Sequence, residues 1–296
     1  MRDGMEVKEV KDVKEVKEQS GRTAAFFDLD GTLVALPSLE WRFFRTLRYR
    51  RAIPARNYFL WFAEAMRLAP RGIGGVLQAN KMYLRGVAMD RSQEGGLKPA
   101  PTFFQEGIER VLWHAGQGHA IVLASGTLEP LAQAAARAIE NELAARRIVV
   151  AIQVCATRLE EVDGRWTGRI LGEAMFGEAK ARAVQRIAAE MKFDLTQCYA
   201  YGDSANDRWL LAEVGRPAAV NPAKELARIA RKRGWPVLRW KENRISTQRA
   251  QSSRRRRGDM RRPKLETLQG EKHNDAGDTQ PFDGLAIGEA RPGSLG

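Results

Sequence analysis

Residues 24–34 read Ala24-Ala25-Phe26-Phe27-Asp28-Leu29-Asp30-Gly31-Thr32-Leu33-Val34, four apolar residues that stop at two carboxylates and a glycine. A short apolar run closed by a turn signal is the pattern of a strand buried on both faces, as in a parallel sheet covered by helices. In open sheets of that kind ligands bind beyond the carboxyl ends of the strands. Residues i and i+2 of an extended segment project to the same side, so Asp28 and Asp30 are expected to share one small space. Two carboxylates so close are costly unless a cation lies between them or one keeps its proton, and both conditions suit catalysis. Taken alone, Asp-x-Asp-Gly also fits an ordinary exit from a strand into a turn, and the rest of the chain has to decide.

Three further segments do so: Ile121-Val122-Leu123-Ala124-Ser125-Gly126-Thr127, Lys180 within Gly177-Glu178-Ala179-Lys180-Ala181, and Tyr201-Gly202-Asp203-Ser204-Ala205-Asn206-Asp207. With Asp28-Leu29-Asp30-Gly31-Thr32 they stand in the order and approximate spacing of the four motifs of the haloacid dehalogenase (HAD) superfamily. The chain from about Thr23 to Trp240 thus resembles a HAD phosphatase. The insert between the first two motifs, with Asn80-Lys81-Met82-Tyr83-Leu84-Arg85-Gly86 and Val220-Asn221-Pro222, is similar to the phosphoserine-phosphatase-like branch, subfamily IB. The resemblance implies an α/β fold: a Rossmann-like parallel sheet as the HAD core, at 21–36 and 100–240, and a helical cap at 37–99 inserted after the first strand.

Composition is consistent with that size of core. The chain has 296 residues, 44% of them hydrophobic, enough for one large α/β domain and an insertion. A formal charge of +13 would suggest a polyanionic partner if it were spread over a folded face. Much of it instead lies between Arg239 and Lys264, with Arg254-Arg255-Arg256-Arg257 and Arg261-Arg262 in surroundings nearly free of apolar residues. From Lys241 onward (241–296) the composition predicts a disordered basic tail, able to touch nucleic acid or an anionic membrane surface through phosphate contacts. The first 20 residues repeat Val7, Val10, Val13 and Val16 among Lys and Glu; period three drifts around a helix of 3.6 residues per turn, so a frayed or disordered leader is expected. The only cysteines, Cys155 and Cys198, lie in apolar strand-like runs and read as buried free thiols. With no apolar run near the roughly 20 residues of a membrane span and no signal-peptide core, the expectation is a cytoplasmic protein, with peripheral membrane contact as a further option.

Between Pro37 and Pro99 the pattern is helical and amphipathic, with breaks expected at Pro54, Pro70 and Gly72-Ile73-Gly74-Gly75. An insertion there sits over the carboxyl end of the first strand, where it can act as a lid and choose the substrate. Six arginines from Arg42 to Arg56 interleave with aromatics such as Trp41, Phe44, Tyr58 and Trp61. The aromatics can be the cap's own core, or the cap can handle a phosphate ester with an apolar body or meet an anionic surface.

Beyond the cap, helices are expected over Thr102 to Gln117, Glu129 to Arg146, Gly177 to Met191 and Ala223 to Lys232. Strands are expected at His119 to Ala124, Ile148 to Cys155, Gln197 to Asp203, Pro217 to Val220 and Pro236 to Leu238, and a hairpin turning at Asp163-Gly164. The hydroxyl of Ser125 and the amides beside it can bond a phosphoryl oxygen. Lys180, in the first turn of its helix, is misplaced for the helix dipole, as expected if its ammonium faces a phosphoryl group; Arg182 is the neighbour that could substitute. Gly202 is expected to let the chain turn sharply so that Asp203 and Asp207 approach Asp28 from the other side. Hard oxygen donors of this kind suit Mg²⁺. His114 and His119 have no partners at ligand spacing and read as structural.

The resemblance assigns roles. It implies Asp28 as nucleophile, forming an aspartyl-phosphate, and Asp30 as general acid and then base. Mg²⁺ would be held by Asp28, the backbone carbonyl of Asp30, Asp203 and Asp207, and the substrate phosphate by Asp28, Gly31, Thr32, Ser125, Gly126, Lys180 and Asn206. The expected reaction is Mg²⁺-dependent hydrolysis of a small phosphorylated metabolite. Phosphoserine is the substrate that the branch suggests, but phosphoserine phosphatases typically have Ser where this chain has Gly31. They also carry an acidic residue near the position of Pro37 that reads the substrate's amino group, and here Glu40 is out of register. A lysophosphatidate-like lipid phosphate is the alternative that the aromatic and basic cap suggests. A reading of a different class is a binding protein anchored by its tail to nucleic acid or membrane, with a vestigial core.

Overall fold

A computed structural model describes residues 22–88 and 101–241. The leader, the tail from residue 242 and the last part of the insertion lie outside the described residues, and so do the expectations attached to them.

In chain order the elements are β1 (Ala24–Phe27), the insertion helices α1 (Leu39–Tyr49), α2 (Arg56–Leu68) and α3 (Gly72–Ala79), then α4 (Gln105–Gly116), β2 (Ala120–Leu128), α5 (Glu129–Ala145), β3 (Ile152–Thr157), β4 (Leu159–Val162), β5 (Arg165–Ile170), α6 (Glu178–Met191), β6 (Tyr199–Gly202), α7 (Arg208–Ala212), β7 (Arg216–Val220), α8 (Lys224–Arg233) and β8 (Val237–Leu238). Six strands form one sheet in the order β3-β2-β1-β6-β7-β8, and every pairing in it is parallel.

The central strands β1 and β2 are buried on both faces, as a parallel sheet covered by helices requires. All four residues of β1 are buried, and their side chains alternate between two cores. Phe27 joins Leu123, Val111, Ile139 and Tyr201 on one side, while Phe26 joins Val122, Val184, Ala200 and Leu210 on the other. A strand flanked in this way cannot sit at an edge, and β1 lies at the centre between β2 and β6. The short strands β4 and β5 form a separate antiparallel hairpin. Its turn places Asp163 and Gly164 at φ 51° and 72°, the backbone signs a tight two-residue turn requires.

Helix α1 starts at Ser38, whose hydroxyl accepts a hydrogen bond from the Trp41 amide at 3.2 Å. The Arg42 guanidinium reaches back to the carbonyls of Ala35 (2.7 Å) and Pro37 (2.8 Å), tying the insertion to the loop that follows β1. Buried Asn57 donates to the carbonyls of Tyr83 and Arg85, at 3.0 and 2.7 Å, and fixes α2 against the return segment. That segment lies on the hairpin, where the Gly86 amide donates to the Trp166 carbonyl at 2.7 Å. One expectation needs refinement: the break falls at Gly72, whose φ of 80° ends the turn Ala69–Arg71, whereas the glycines at 74 and 75 lie inside the helix Gly72–Ala79. A glycine costs only about 1 kcal/mol in a helix interior, and tertiary context can override it.

Candidate active site

Strand register puts the acidic residues together. Phe27 pairs with Tyr201 on β6 and with Leu123 on β2, so Asp28, Gly202 and Ser125 all emerge at the same end of the sheet. The Asp28 amide extends the β6 pairing by donating to the Tyr201 carbonyl at 2.9 Å. The chain then folds back tightly, with the amides of Leu33 and Val34 donating to the Leu29 carbonyl.

Lys180, the third residue of α6, is 3% exposed and points into this end of the sheet. Its Nζ lies 2.7 Å from Asp28 Oδ1 and 2.6 Å from Asp207 Oδ1. Asp207 Oδ2 is held in turn by the hydroxyl and amide of Ser204, at 2.7 and 3.0 Å. Asp28, Asp203 and Asp207 each bring a carboxylate oxygen within 4.8 Å of the others, an all-oxygen set that fits a hard divalent cation such as Mg²⁺. Asp30 points elsewhere: its Oδ1 accepts the Leu39 amide at 2.8 Å, so its carboxylate is outside the cation set. Arg182 is no substitute for Lys180, since it is on the surface with Glu173.

Burial dominates the electrostatics. It pushes Asp28 up to about 7 against the attraction of Lys180, with Asp207 adding to the rise. Asp203 is raised to about 8 by burial and by the charges of Asp28 and Asp207. Asp30 is raised to about 6, again mainly by burial, while its bond from the Leu39 amide pulls the other way. Burial opposes the Lys180 charge, but Asp207 and Asp28 outweigh it and hold the ammonium above its ordinary range. These carboxylates are short of positive charge, and a bound divalent cation would supply it.

The cluster forms the floor of a cavity of about 690 Å³ whose opposite wall comes from the insertion. Of the residues expected to hold phosphate, Asp28, Ser125, Gly126, Lys180 and Asn206 line it, whereas Gly31 and Thr32 do not. Thr32 is buried behind Asp28 and donates to its Oδ2 at 3.3 Å, and the Gly31 amide is spent on the Val34 carbonyl at 2.7 Å. Gly202 also differs from expectation. It is the last residue of β6 with no positive φ, and it is needed for space, since a β-carbon there would lie 2.4 Å from Asp207 Cβ. Gly126 has a similar reason, because a β-carbon would overlap the Phe176 ring at 2.0 Å.

Ser204, Thr127, Phe176, Lys81 and Tyr83 also line the cavity, with no role read from the sequence, and Trp61 lines it as one of the cap aromatics. Ser204-x-x-Asp207 is a capping-box spacing and could have been read as one. Glu40, out of register in the linear pattern, reaches the cavity because α1 begins at Leu39 and turns its first residues inward.

His114 and His119 do not line this cavity. Their Nδ1 atoms lie 2.8 Å apart and His114 Nε2 lies 2.9 Å from the Tyr201 hydroxyl, a structural network. Cys155 and Cys198 are free thiols. None of the described helices is long and apolar enough to cross a membrane.

Comparison with known proteins agrees with this geometry. Residues 25–212 match the model of the haloacid dehalogenase-like hydrolase family. The "Inhibition of morphological differentiation protein" of Streptomyces azureus is 34% identical over 234 residues, covering 73% of this chain and 78% of that protein. Phosphoserine phosphatase SerB1 of Mycobacterium tuberculosis is 30% identical over 240 residues, covering 72% of this chain and 70% of that protein. Among solved structures, a protein of unknown function from Bordetella pertussis Tohama I is similar with a TM-score of 0.57 and 29% identity, covering 74% of this chain and 99% of that one. With an acidic, lysine-bridged cluster at the carboxyl ends of a parallel sheet, and relatives that include phosphatases, the chain belongs to the haloacid dehalogenase-like hydrolase family.

Proposed function

We propose that the protein is a Mg²⁺-dependent phosphomonoesterase that hydrolyses a small phosphorylated metabolite through an aspartyl-phosphate. The observation that carries this reading is Lys180 bridging Asp28 and Asp207 at 2.7 and 2.6 Å in a cavity that Ser125 and Asp203 also line.

Asp28 attacks phosphorus in line through a carboxylate oxygen, and the ester oxygen departs on the far side. Thr32 and Lys180 hold that carboxylate in one orientation, so little freedom is lost on the way to the transition state. Lys180, the Ser125 hydroxyl and Asn206 face the space where phosphoryl oxygens would lie and stabilise the charge they carry. Asp30, held by the Leu39 amide and raised to about 6, carries a proton for the leaving alkoxide and later takes one from the water that opens the aspartyl-phosphate. Bound at Asp28, Asp203 and Asp207, Mg²⁺ would supply positive charge against the phosphoryl group.

The test is incubation with phosphomonoesters, with and without Mg²⁺, for wild type and Asp28→Asn. Phosphate release that needs Mg²⁺, and a loss of at least about 10³-fold in the variant, are expected. Equal turnover by both proteins, in preparations free of other phosphatases, would remove the proposal.

A further inference from the structure

The cap aromatics divide into two groups. Phe43, Phe44 and Tyr83 pack against the core, with Phe43 edge-on to Trp166 at 5.9 Å. The second group faces outward. On α2, Phe59, Phe62 and Met66 are 79%, 62% and 63% exposed, and their spacing puts them on one side of the helix together with exposed Ala63. The opposite side of α2 carries Asn57 and Leu68, both buried, and Trp61, which lines the cavity. The helix is thus apolar on its outer side as well as its inner one, whereas a helix that meets water there carries polar residues. A continuous outer stripe of this kind marks an interaction surface, unlike apolar residues exposed singly.

The same region is strongly basic. Residues 41–63 contain six arginines and no acidic residue, and the insertion 37–99 over its full sequence has ten arginines and two lysines against four carboxylates. Arg42 is tied to the Ala35 and Pro37 carbonyls, but Arg45 and Arg48 on α1, Arg50 and Arg51 after it and Arg56 at the start of α2 are exposed. Trp41, Arg45, Arg48 and Tyr49 share the outer side of α1. Trp41 and Tyr58 are exposed and also line the cavity, so both helices border its mouth.

Charge and apolar surface together select the partner. A second copy of this face would bring arginines against arginines. A nucleic acid would satisfy the arginines but leave Phe59, Phe62 and Met66 without an apolar environment. An anionic bilayer satisfies both, since apolar side chains enter below the headgroups while guanidinium groups stay on the lipid phosphates.

We propose that α1 and α2 dock this protein on an anionic lipid bilayer, with Phe59, Phe62 and Met66 entering the acyl boundary and the arginines of α1 and the following turn on lipid phosphates. The cavity mouth then opens at the level of the headgroups. Docking of this kind is independent of the reaction catalysed in the cavity.

Flotation of the full-length protein with vesicles is the test. Phosphatidylcholine vesicles with about one third phosphatidylserine should carry wild type at least about tenfold better than phosphatidylcholine alone. The triple variant Phe59→Ser, Phe62→Ser, Met66→Ser should lose at least about tenfold in partitioning onto the mixed vesicles, with an unfolding curve like that of wild type because all three positions are exposed. Both proteins carry the basic segment beyond residue 241, so the ratio between them does not read adsorption by its charge. In Phe62→Trp, lipid brominated in its acyl chains should quench the added emission, a sign of insertion that adsorption by charge alone does not produce. Equal partitioning of the triple variant and wild type, no preference for the anionic vesicles, or unquenched emission in Phe62→Trp overturns the docking. So does a solution dimer, or binding to duplex DNA, that the triple variant abolishes while wild type binds no vesicles.

Discussion

Gly31 and Asp203 occupy almost the same space: a β-carbon built on Gly31 would lie 2.3 Å from Asp203 Oδ2 and 2.6 Å from its Cγ. Gly31 also has φ +89°, a region that L side chains rarely adopt. Gly31→Ser should cost about 1–3 kcal/mol of stability and displace Asp203 from the cation-binding set. Denaturant unfolding and Mg²⁺ titration of activity check this, with at least a tenfold rise in the Mg²⁺ needed for half-maximal rate. An unchanged Mg²⁺ requirement would mean that Asp203 accommodates the side chain without loss.

A second expectation concerns Lys180, buried between Asp28 and Asp207. Removing one partner of a buried ionic cluster leaves the others uncompensated and costs roughly 3–5 kcal/mol. Lys180→Met should therefore be destabilised by about that much near pH 8 without Mg²⁺. Acid should reduce the loss, since carboxylates that bind protons no longer need the ammonium. Added Mg²⁺ should also reduce it, by binding the folded state alone. Unfolding curves at pH 6 and 8, with and without the ion, give the comparison; a variant as stable as wild type at pH 8 would contradict the geometry.

The central sheet was readable because its signal is local. Ala24 to Phe27 and Ile121 to Ala124 are apolar on every residue, and only a strand covered on both faces uses such runs. Lys180 and the aspartates were readable as residues, since a buried site needs ions at the ends of those strands. The assignment of each glycine was not, because space is a tertiary property: Gly202 faces Asp207 and Gly126 faces Phe176 across loops whose packing no local pattern reveals. The cap was the least legible part. Glu40, Lys81 and Tyr83 are separated by more than 40 residues between the first and the other two, and only folding of the insertion joins them.

The histidine pair at the other end of β2 should control acid stability. Burial, then the neighbouring His119 and Arg110, lowers His114 from its ordinary 6.5 to about 3. Tyr201 faces its other nitrogen, and Trp113 and Tyr199 pack on the ring. The folded form therefore resists a proton that the unfolded chain accepts, so its stabilisation is intact above about pH 6.5 and is lost as pH falls towards 3. At pH 5 the loss from this group is about 2 kcal/mol. His114→Gln should be less stable at neutral pH yet show a shallower decline between pH 7 and 5, by about one proton. Parallel curves for the two proteins would show that His114 does not titrate in this way.

The last expectation separates Asp30 from Asp28 by what each does to the leaving group. Asp30 is held by the Leu39 amide at 2.8 Å and stands outside the cation set, so Asp30→Asn removes a proton carrier without emptying the Mg²⁺ site. An alkyl phosphate needs that proton as its alkoxide departs and should lose about 10²–10⁴-fold in rate. p-Nitrophenolate is a stable anion that leaves unprotonated, so the first step should survive with this substrate. The second step still lacks a base for the attacking water. Rapid mixing should then release close to one equivalent of p-nitrophenol per enzyme and stall, with the phosphoryl group retained on the protein. Asp28→Asn should give no such burst, because no acceptor remains. Equal losses on alkyl and aryl esters in Asp30→Asn, with no burst, would assign the proton transfer to another group.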